Sequence, residues 1–140
     1  MLSGEFKHVL DAKNRIFIPS KFRDELGESF MITRSLRGNY LCFYSIRSWE
    51  EFVAPLRALP RKMSEDTLRY LYRTAAEVSP DTQGRIVLPQ QLVDHTRRVK
   101  NAYVIGCGDY GEIWSEDNYN EKISTENVEE LRKALEELGL

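Results

Sequence analysis

The sequence predicts an α+β protein, mainly β, that is built from two tandem pseudo-symmetric units with flanking helices. The phrase DAKNRIFIP at 11–19 returns 70 residues later as DTQGRIVLP at 81–89, with four identical positions. Both copies combine turn residues with β-branched residues, as hairpins do. A segment of different character separates the copies, which favours a pair of related units over a solenoid.

The first unit is predicted to contain four short strands and two helices. The strands are expected at 5–10, 15–18, 30–34 and 39–44. Pro19 opens a short helix that Gly27 ends. A capping box that begins at Ser48 starts a second helix, which Pro55 kinks. The second unit repeats this plan from residue 78 to about residue 122.

Two further helices flank the units. Residues 61–76 have an apolar face at helical spacing, and Ser64 is the predicted cap. Residues 124–138 show the same spacing and are followed by Gly139. The predicted domains are therefore a first unit, a connecting helix, a second unit and an acidic C-terminal helix, at 1–60, 61–77, 78–122 and 123–140.

Composition excludes several classes of protein. The chain has 140 residues, of which 30% are charged, and no apolar run has the 18 residues that a membrane span needs. Cys42 and Cys107 lack the CxxC spacing of a zinc or redox site, which fits a reducing compartment. We therefore expect a cytoplasmic protein without a cofactor or metal.

Charge is distributed unevenly along the chain. The net charge is −2, but residues 112–140 hold nine acids and three bases. That segment carries −6, so residues 1–111 carry +4. An acidic tail thus masks a mildly basic body, and the total charge does not exclude nucleic acid as a partner.

The repeated phrase predicts two tight turns that each present an arginine. Asp at the start of a turn accepts backbone N–H bonds, and Gly84 supplies a positive φ that Asn14 also tolerates. Arg15 and Arg85 follow these turns, where they could donate to phosphates or guanine edges. They could equally brace the turns by pairing with the aspartates, and the sequence leaves both interpretations open.

These residues resemble the MraZ family of bacterial transcriptional regulators. The resemblance rests on MLSGEF at 1–6, LDAKNRIFIPSKFR at 10–23 and DTQGRIVLP at 81–89, and it extends to about residue 120. It implies two AbrB-like swapped-hairpin units of the double-split β-barrel type and ring-shaped homo-oligomers. It also implies binding to tandem short DNA repeats upstream of the division and cell-wall gene cluster, repression of that cluster and association with the nucleoid.

Carried over residue by residue, the resemblance assigns two roles. The expected DNA contacts are Lys13, Arg15, Lys21, Arg23, Gln83 and Arg85. The expected structural residues of the turns are Asp11, Asn14, Asp81 and Gly84. Asn14 stands where the family usually has glycine. Lys21 and Arg23 correspond to Gln91 and Val93 in the second unit, so the two units differ in charge.

Two other classes of function are weaker alternatives. An enzyme is not favoured, because His8 and His95 occupy non-equivalent positions and neither cysteine lies in a nucleophile motif. A protein-interaction or antitoxin-like module is the second alternative. Aromatic residues are repeated in both units: Tyr44 and Trp49, and Trp114 and Tyr119. They could form a binding stripe for such a module, but we expect them to pack in the core or in a subunit contact.

Overall fold

The computed structural model describes residues 1–95 and 100–140, which form eight strands and six α-helices. The strands are β1 (Glu5–Val9), β2 (Arg15–Phe17), β3 (Phe30–Arg34), β4 (Leu41–Ser45), β5 (Ala76–Val78), β6 (Arg85–Val87), β7 (Asn101–Gly106) and β8 (Gly111–Ser115). The helices are α1 (Ser20–Leu26), α2 (Ile46–Val53), α3 (Arg61–Thr74), α4 (Gln90–His95), α5 (Glu116–Lys122) and α6 (Val128–Glu137). None of the helices in these two ranges is long and apolar enough to cross a membrane.

The strands form two antiparallel sheets. Six strands lie in the order β1-β7-β8-β4-β3-β5, and β2 pairs with β6 as a separate two-stranded ribbon. The predicted α+β class with a mainly antiparallel sheet is therefore confirmed. The two sheets do not close into one continuous barrel.

The first strand of each repeat lies in the other repeat's half of the sheet. β1 pairs with β7, with Phe6 opposite Val104, and β5 pairs with β3, with Val78 opposite Phe30. β4 and β8 join the halves at the centre, where Leu41 lies opposite Ile113. Because of this exchange, neither repeat pairs all of its own strands with one another.

The main core lies between the ribbon and the large sheet. Ile16 and Ile86 project into it from the ribbon and are fully buried. Phe22 of α1 and Leu92 of α4 pack in the same cluster, each one turn after the proline that opens its helix. Since both repeats supply this core, burial of apolar area couples the ribbon to the sheet.

A second apolar cluster lies under α2 and α3. Trp49 is the largest fully buried side chain there and packs against Tyr44, Phe52 and Tyr72. In the second unit, Trp114 is buried and Tyr119 stacks on Tyr103 with ring centroids 3.7 Å apart. The repeated aromatic residues therefore pack mainly within the protein.

Two predicted helix starts are wrong by several residues, and the helix that begins at Arg61 as predicted lacks its predicted cap. Ser45, not Ser48, caps α2, because β4 ends at Ser45, one turn before Ser48. The Ser45 hydroxyl accepts a hydrogen bond from Ser48 N at 3.1 Å. Ser64 lies inside α3 and does not cap it, since the helix begins directly after Pro60. Asn127 caps α6 through a bond from Glu129 N, so that helix starts after the predicted 124.

Proline explains one further difference. α2 ends at Val53 and continues as a 3-10 helix over Ala54–Ala58, with Pro55 near its start. A proline cannot donate the backbone bond that an α-helix needs at this position. The predicted kink at Pro55 is thus a change of helix type.

Candidate nucleic-acid interface

The two repeated phrases form two turns with the same hydrogen bonds. In the first, Asp11 Oδ1 accepts from Lys13 N and Arg15 N, both at 2.9 Å. In the second, Asp81 Oδ1 accepts from Gln83 N and Arg85 N at the same distances. Each aspartate thereby satisfies two backbone donors that the reversal leaves without strand partners.

The left-handed position occurs at the same place in both turns. Asn14 has φ +59°, and it is the non-glycine residue with positive φ in the described part of the chain. Gly84 has φ +84°. Asn and Gly are the residues that enter this region at least cost, so both sequences are compatible with one backbone shape.

Each aspartate also pairs with the arginine that follows its turn. Arg15 Nε donates to Asp11 Oδ2 at 2.7 Å, and Arg85 Nε donates to Asp81 Oδ2 at 3.1 Å. The backbone N–H of the following arginine is the main cause that lowers the pKa of each aspartate, and the guanidinium adds to it. The turns are therefore braced by ionised carboxylates.

The brace uses only part of each guanidinium. Its Nε is bonded, whereas its terminal nitrogens have no hydrogen-bond partner among residues 1–95 and 100–140. Both arginine side chains keep 30% of their surface exposed. One side chain can thus brace its turn and still offer two terminal nitrogens, so the two interpretations of the arginines are compatible.

The ribbon brings both arginines to one face. Arg15 lies opposite Val87 and Arg85 lies opposite Phe17, while the buried Ile16–Ile86 pair points to the other face. Residues that are diagonal across an antiparallel pair lie roughly 7–8 Å apart. This face is narrow and bears two cations, and a two-stranded ribbon has the width that the DNA major groove admits.

Lys13 and Gln83 lie at the tips of the turns. Both side chains are exposed, and both residues use their backbone N–H groups for the turn and not their side chains. They flank the ribbon face at opposite ends, because β2 and β6 run antiparallel. The first tip is therefore cationic and the second is neutral.

Arg23 lies against the second turn. Its Nε donates to Ile18 O at 3.0 Å, and its guanidinium lies over the ring of Phe17, 5.5 Å from the centroid. A β-carbon at Gly84 would lie 2.7 Å from Cζ of Arg23. The side chain of Lys21 is exposed and lies 5.1 Å from the centroid of the Phe6 ring, away from this contact.

Sequence reasoning missed two residues beside the ribbon. Gln90 of α4 accepts a 3.0 Å bond from Asn14 Nδ2 and so ties the first turn to the second unit. His8 lies 5.2 Å from Phe17 between ring centroids, and burial lowers its pKa. The pairing of β2 with β6 brings Asn14 to Gln90 from the other repeat, and the linear sequence gives no signal of that pairing.

The candidate groups for catalysis are not brought together. No cluster of three or more metal-ligating side chains occurs in the described ranges. Burial raises the pKa of the Cys42 thiol to about 12 and that of Cys107 to about 11, so both are protonated at neutral pH and poorly nucleophilic. The side chain of His95 lies outside the described residues.

Comparison with known proteins identifies the family. The model of the family described as "MraZ protein, putative antitoxin-like" matches the chain twice, at residues 1–69 and 71–139. Proteins named transcriptional regulator MraZ are 41% identical in Caldicellulosiruptor bescii and 38% identical in Acetivibrio thermocellus, over the whole of both chains. The protein of that name in Clostridium acetobutylicum is also 38% identical over full length. The two family matches are offset by 70 residues, as the repeat is, and with the full-length relatives they place this chain in the MraZ family.

Proposed function

We propose that this protein is a sequence-specific DNA-binding transcriptional regulator that acts through the ribbon face. The observation that carries the proposal is the pair of braced arginines on one face, whose terminal nitrogens have no partner within the described ranges. Membership of a family whose relatives are named transcriptional regulators supports it. We further propose repression, with tandem short repeats upstream of the division and cell-wall genes, its own included, as the target.

The chemistry of the face suits a base edge or a phosphate. Terminal guanidinium nitrogens can donate two parallel bonds to O6 and N7 of guanine, or to two phosphate oxygens. The aspartate brace fixes each side chain before binding, so less rotamer entropy is lost on contact. Arg15 and Arg85 are the proposed base contacts, and Lys13 and Gln83 are proposed to meet the backbone at the tips. For Arg23 we propose a phosphate contact at the edge of the same face, and for Lys21 a phosphate contact from the exposed side of α1, away from the ribbon.

We propose that the affinity for DNA comes from the assembly of several copies of the chain. A single chain has a net charge of −2 and offers few cations to a phosphate backbone. A ring-shaped homo-oligomer would present many ribbon faces, and linked sites gain from effective concentration when DNA repeats match their spacing. We propose that the units 1–60 and 78–122 each supply one turn to a face of the AbrB-like, double-split type, and that the assembly acts on the nucleoid.

Fluorescence anisotropy tests the proposal directly. The duplex comes from upstream of the protein's own gene, a scrambled duplex is the reference, and salt is varied. We expect tight, salt-dependent binding to the native duplex, and a loss of about 1–3 kcal/mol for each of Arg15→Ala and Arg85→Ala. Arg61→Ala is the matched control, since Arg61 forms an exposed pair with Glu65 on α3 and belongs to neither turn nor to the ribbon.

Equal, weak binding to both duplexes would contradict the proposal. It would move support to the alternative, a protein-interaction or antitoxin-like module. The family description contains the word antitoxin-like, and α6 has an open apolar face that a protein could cover. Under that alternative, the two arginine variants would leave partner binding unchanged.

A further inference from the structure

An exposed valine lies on the same face of the ribbon as the two braced arginines. Val87 is the last residue of β6, and 58% of its surface is exposed. It lies directly opposite Arg15, and residues that are paired in this way carry their side chains on the same face. The fully buried pair Ile16–Ile86 projects from the other face. The face that bears Arg15 therefore also bears an open apolar side chain.

The side chains of Arg15 and Val87 are close neighbours. The backbone bond from Leu88 N to Asn14 O, at 2.8 Å, joins the adjacent residues of the two strands. Because hydrogen-bonded and non-hydrogen-bonded pairs alternate, Arg15 and Val87 form a non-hydrogen-bonded pair, whose β-carbons lie roughly 4.5–5.5 Å apart. Successive bases of a DNA strand are about 3.4 Å apart. The two side chains can thus reach bases that are one or two steps from each other.

The equivalent position at the other end of the ribbon is covered. Phe17 lies opposite Arg85, and in the repeat it corresponds to Val87. The ring of His8 lies 5.2 Å from the ring of Phe17 between centroids, and the guanidinium of Arg23 lies over that ring at 5.5 Å. The ribbon face therefore has an apolar position at each end, of which one is closed and the other open.

An open β-branched side chain beside an arginine suits one particular base edge. In the major groove thymine presents its C5-methyl group, which apolar side chains contact. Contact with the two methyl groups of a valine removes apolar surface from water on both sides. Cytosine lacks the methyl group and presents an N4 amino donor, for which valine offers no acceptor. The position of Val87 thus favours thymine over cytosine.

We propose that Val87 contacts a thymine methyl group in the major groove, one or two base steps from the guanine that Arg15 contacts. The inference rests on the proposed function and deepens it, because it adds a specificity-determining residue to the ribbon face. Since Phe17 is covered, the end of the ribbon that bears Arg85 makes no such contact. The two ends of one ribbon therefore differ in the bases that they select.

Replacement of thymine by deoxyuridine tests the contact, because it removes the methyl group and keeps the hydrogen-bonding groups of the base. Each thymine of the native duplex is replaced in turn, and the affinity is measured by fluorescence anisotropy. One replacement should weaken binding of the wild type roughly fourfold, the effect of one methyl group that is no longer buried. The same replacement should have little effect on Val87→Ala, whereas Val87→Ile should keep the penalty.

Two controls locate the contact. Val9→Ala is the matched variant, because Val9 lies in β1, outside the ribbon, and 57% of its surface is exposed. It should keep the full penalty for deoxyuridine. Replacement of each guanine by 7-deazaguanine removes the N7 acceptor, and the guanine that Arg15 contacts is the one whose replacement weakens the wild type but not Arg15→Ala. The sensitive thymine should lie within two base steps of that guanine.

Three results would overturn the proposal. Wild-type protein could bind every deoxyuridine duplex as tightly as the native duplex, or the penalty could persist in Val87→Ala. Without DNA, Val87→Ala could form smaller oligomers than the wild type in sedimentation velocity, which would mean that a second copy of the chain covers this valine. Failure of the proposed function has a different signature, because the wild type would then bind the native and the scrambled duplex equally.

Discussion

The two turns share one backbone conformation but contact different side chains. Both use an aspartate to bind two backbone N–H groups and an arginine, yet Asn14 occupies the left-handed position in one and Gly84 in the other. Arg23 of the first repeat lies against Gly84. The equivalent of Arg23 in the second repeat is Val93, which is buried, and Asn14 instead bonds Gln90.

This difference shows that a repeated motif can require the same residue class for two reasons. At position 14 the requirement is conformational, and Asn meets it while its amide makes a useful bond. At position 84 the requirement is also one of space, because the guanidinium of Arg23 occupies the place of a β-carbon. Tertiary neighbours that come from the other repeat therefore decide which residue each turn can carry.

The largest expected effect comes from placing the same β-branched residue in both turns. Gly84→Val should cost about 3–4 kcal/mol, since valine resists positive φ and also displaces Arg23 from Ile18 O and Phe17. Asn14→Val should cost about 2 kcal/mol, because it has only the conformational penalty and the lost Gln90 bond. Urea unfolding of both variants measures the difference.

A double-variant cycle isolates the part that Arg23 contributes. In an Arg23→Ala background, Gly84→Val and Asn14→Val should become nearly equal in cost. An excess for Gly84→Val that persists without Arg23 would show that the turns differ in backbone strain and not in their neighbours. The lone Arg23→Ala change serves as the reference for each pair.

A smaller effect is expected from the charges at the two tips. The observed binding constant falls as salt rises, so the slope of log Kobs against log salt is negative. Lys13→Gln should make this slope shallower by about 1 for each copy on the DNA, and Gln83→Lys should make it steeper by about as much. The exchange of both residues should restore the slope. Titration of the native duplex at several salt concentrations measures all three, and a Gln83→Lys slope equal to that of the wild type would mean that the second tip lies away from phosphates.

Local features of the fold follow from sequence where one short segment determines them. The strand at 30–34 has its predicted bounds, and both turns have the positive φ expected at their fourth residue. These features depend on β-branched content, Asp at the turn start and the conformational range of Asn and Gly. The repeat also identifies where the two turns lie in the sequence, because the same phrase occurs twice.

Features that depend on distant partners do not follow in this way. Ser45 and Ser48 both suit a helix cap, and only the end of β4 decides between them. The contacts of Arg23 with Gly84, and of Asn14 with Gln90, exist because strands are exchanged between repeats. No periodicity within one segment encodes an exchange, so the sequence yields the residues of the candidate site but not their neighbours.

The smallest expected effect concerns the first strands of the two repeats, β1 and β5, in which His8 corresponds to Val78. Burial lowers the pKa of His8 below its ordinary 6.5, and its Nε2 is buried without a partner among the described residues. The unfolded chain therefore binds more protons than the folded chain between the lowered pKa and 6.5. The stability that a neutral His8 provides is complete above pH 6.5 and is lost as the pH falls through this window.

His8→Val places in β1 the residue that occupies the equivalent position of β5, and it should remove this pH dependence. Between about pH 7.5 and about pH 5.5 the wild type should lose free energy of unfolding relative to the variant. Asp11 and Asp81 do not interfere, because their lowered pKa values place their contribution to acid unfolding below 3.8. Urea midpoints at the two pH values, with equal m-values, measure the difference. Parallel pH profiles for the two proteins would mean that His8 is hydrated in solution and that burial does not penalise its charged form.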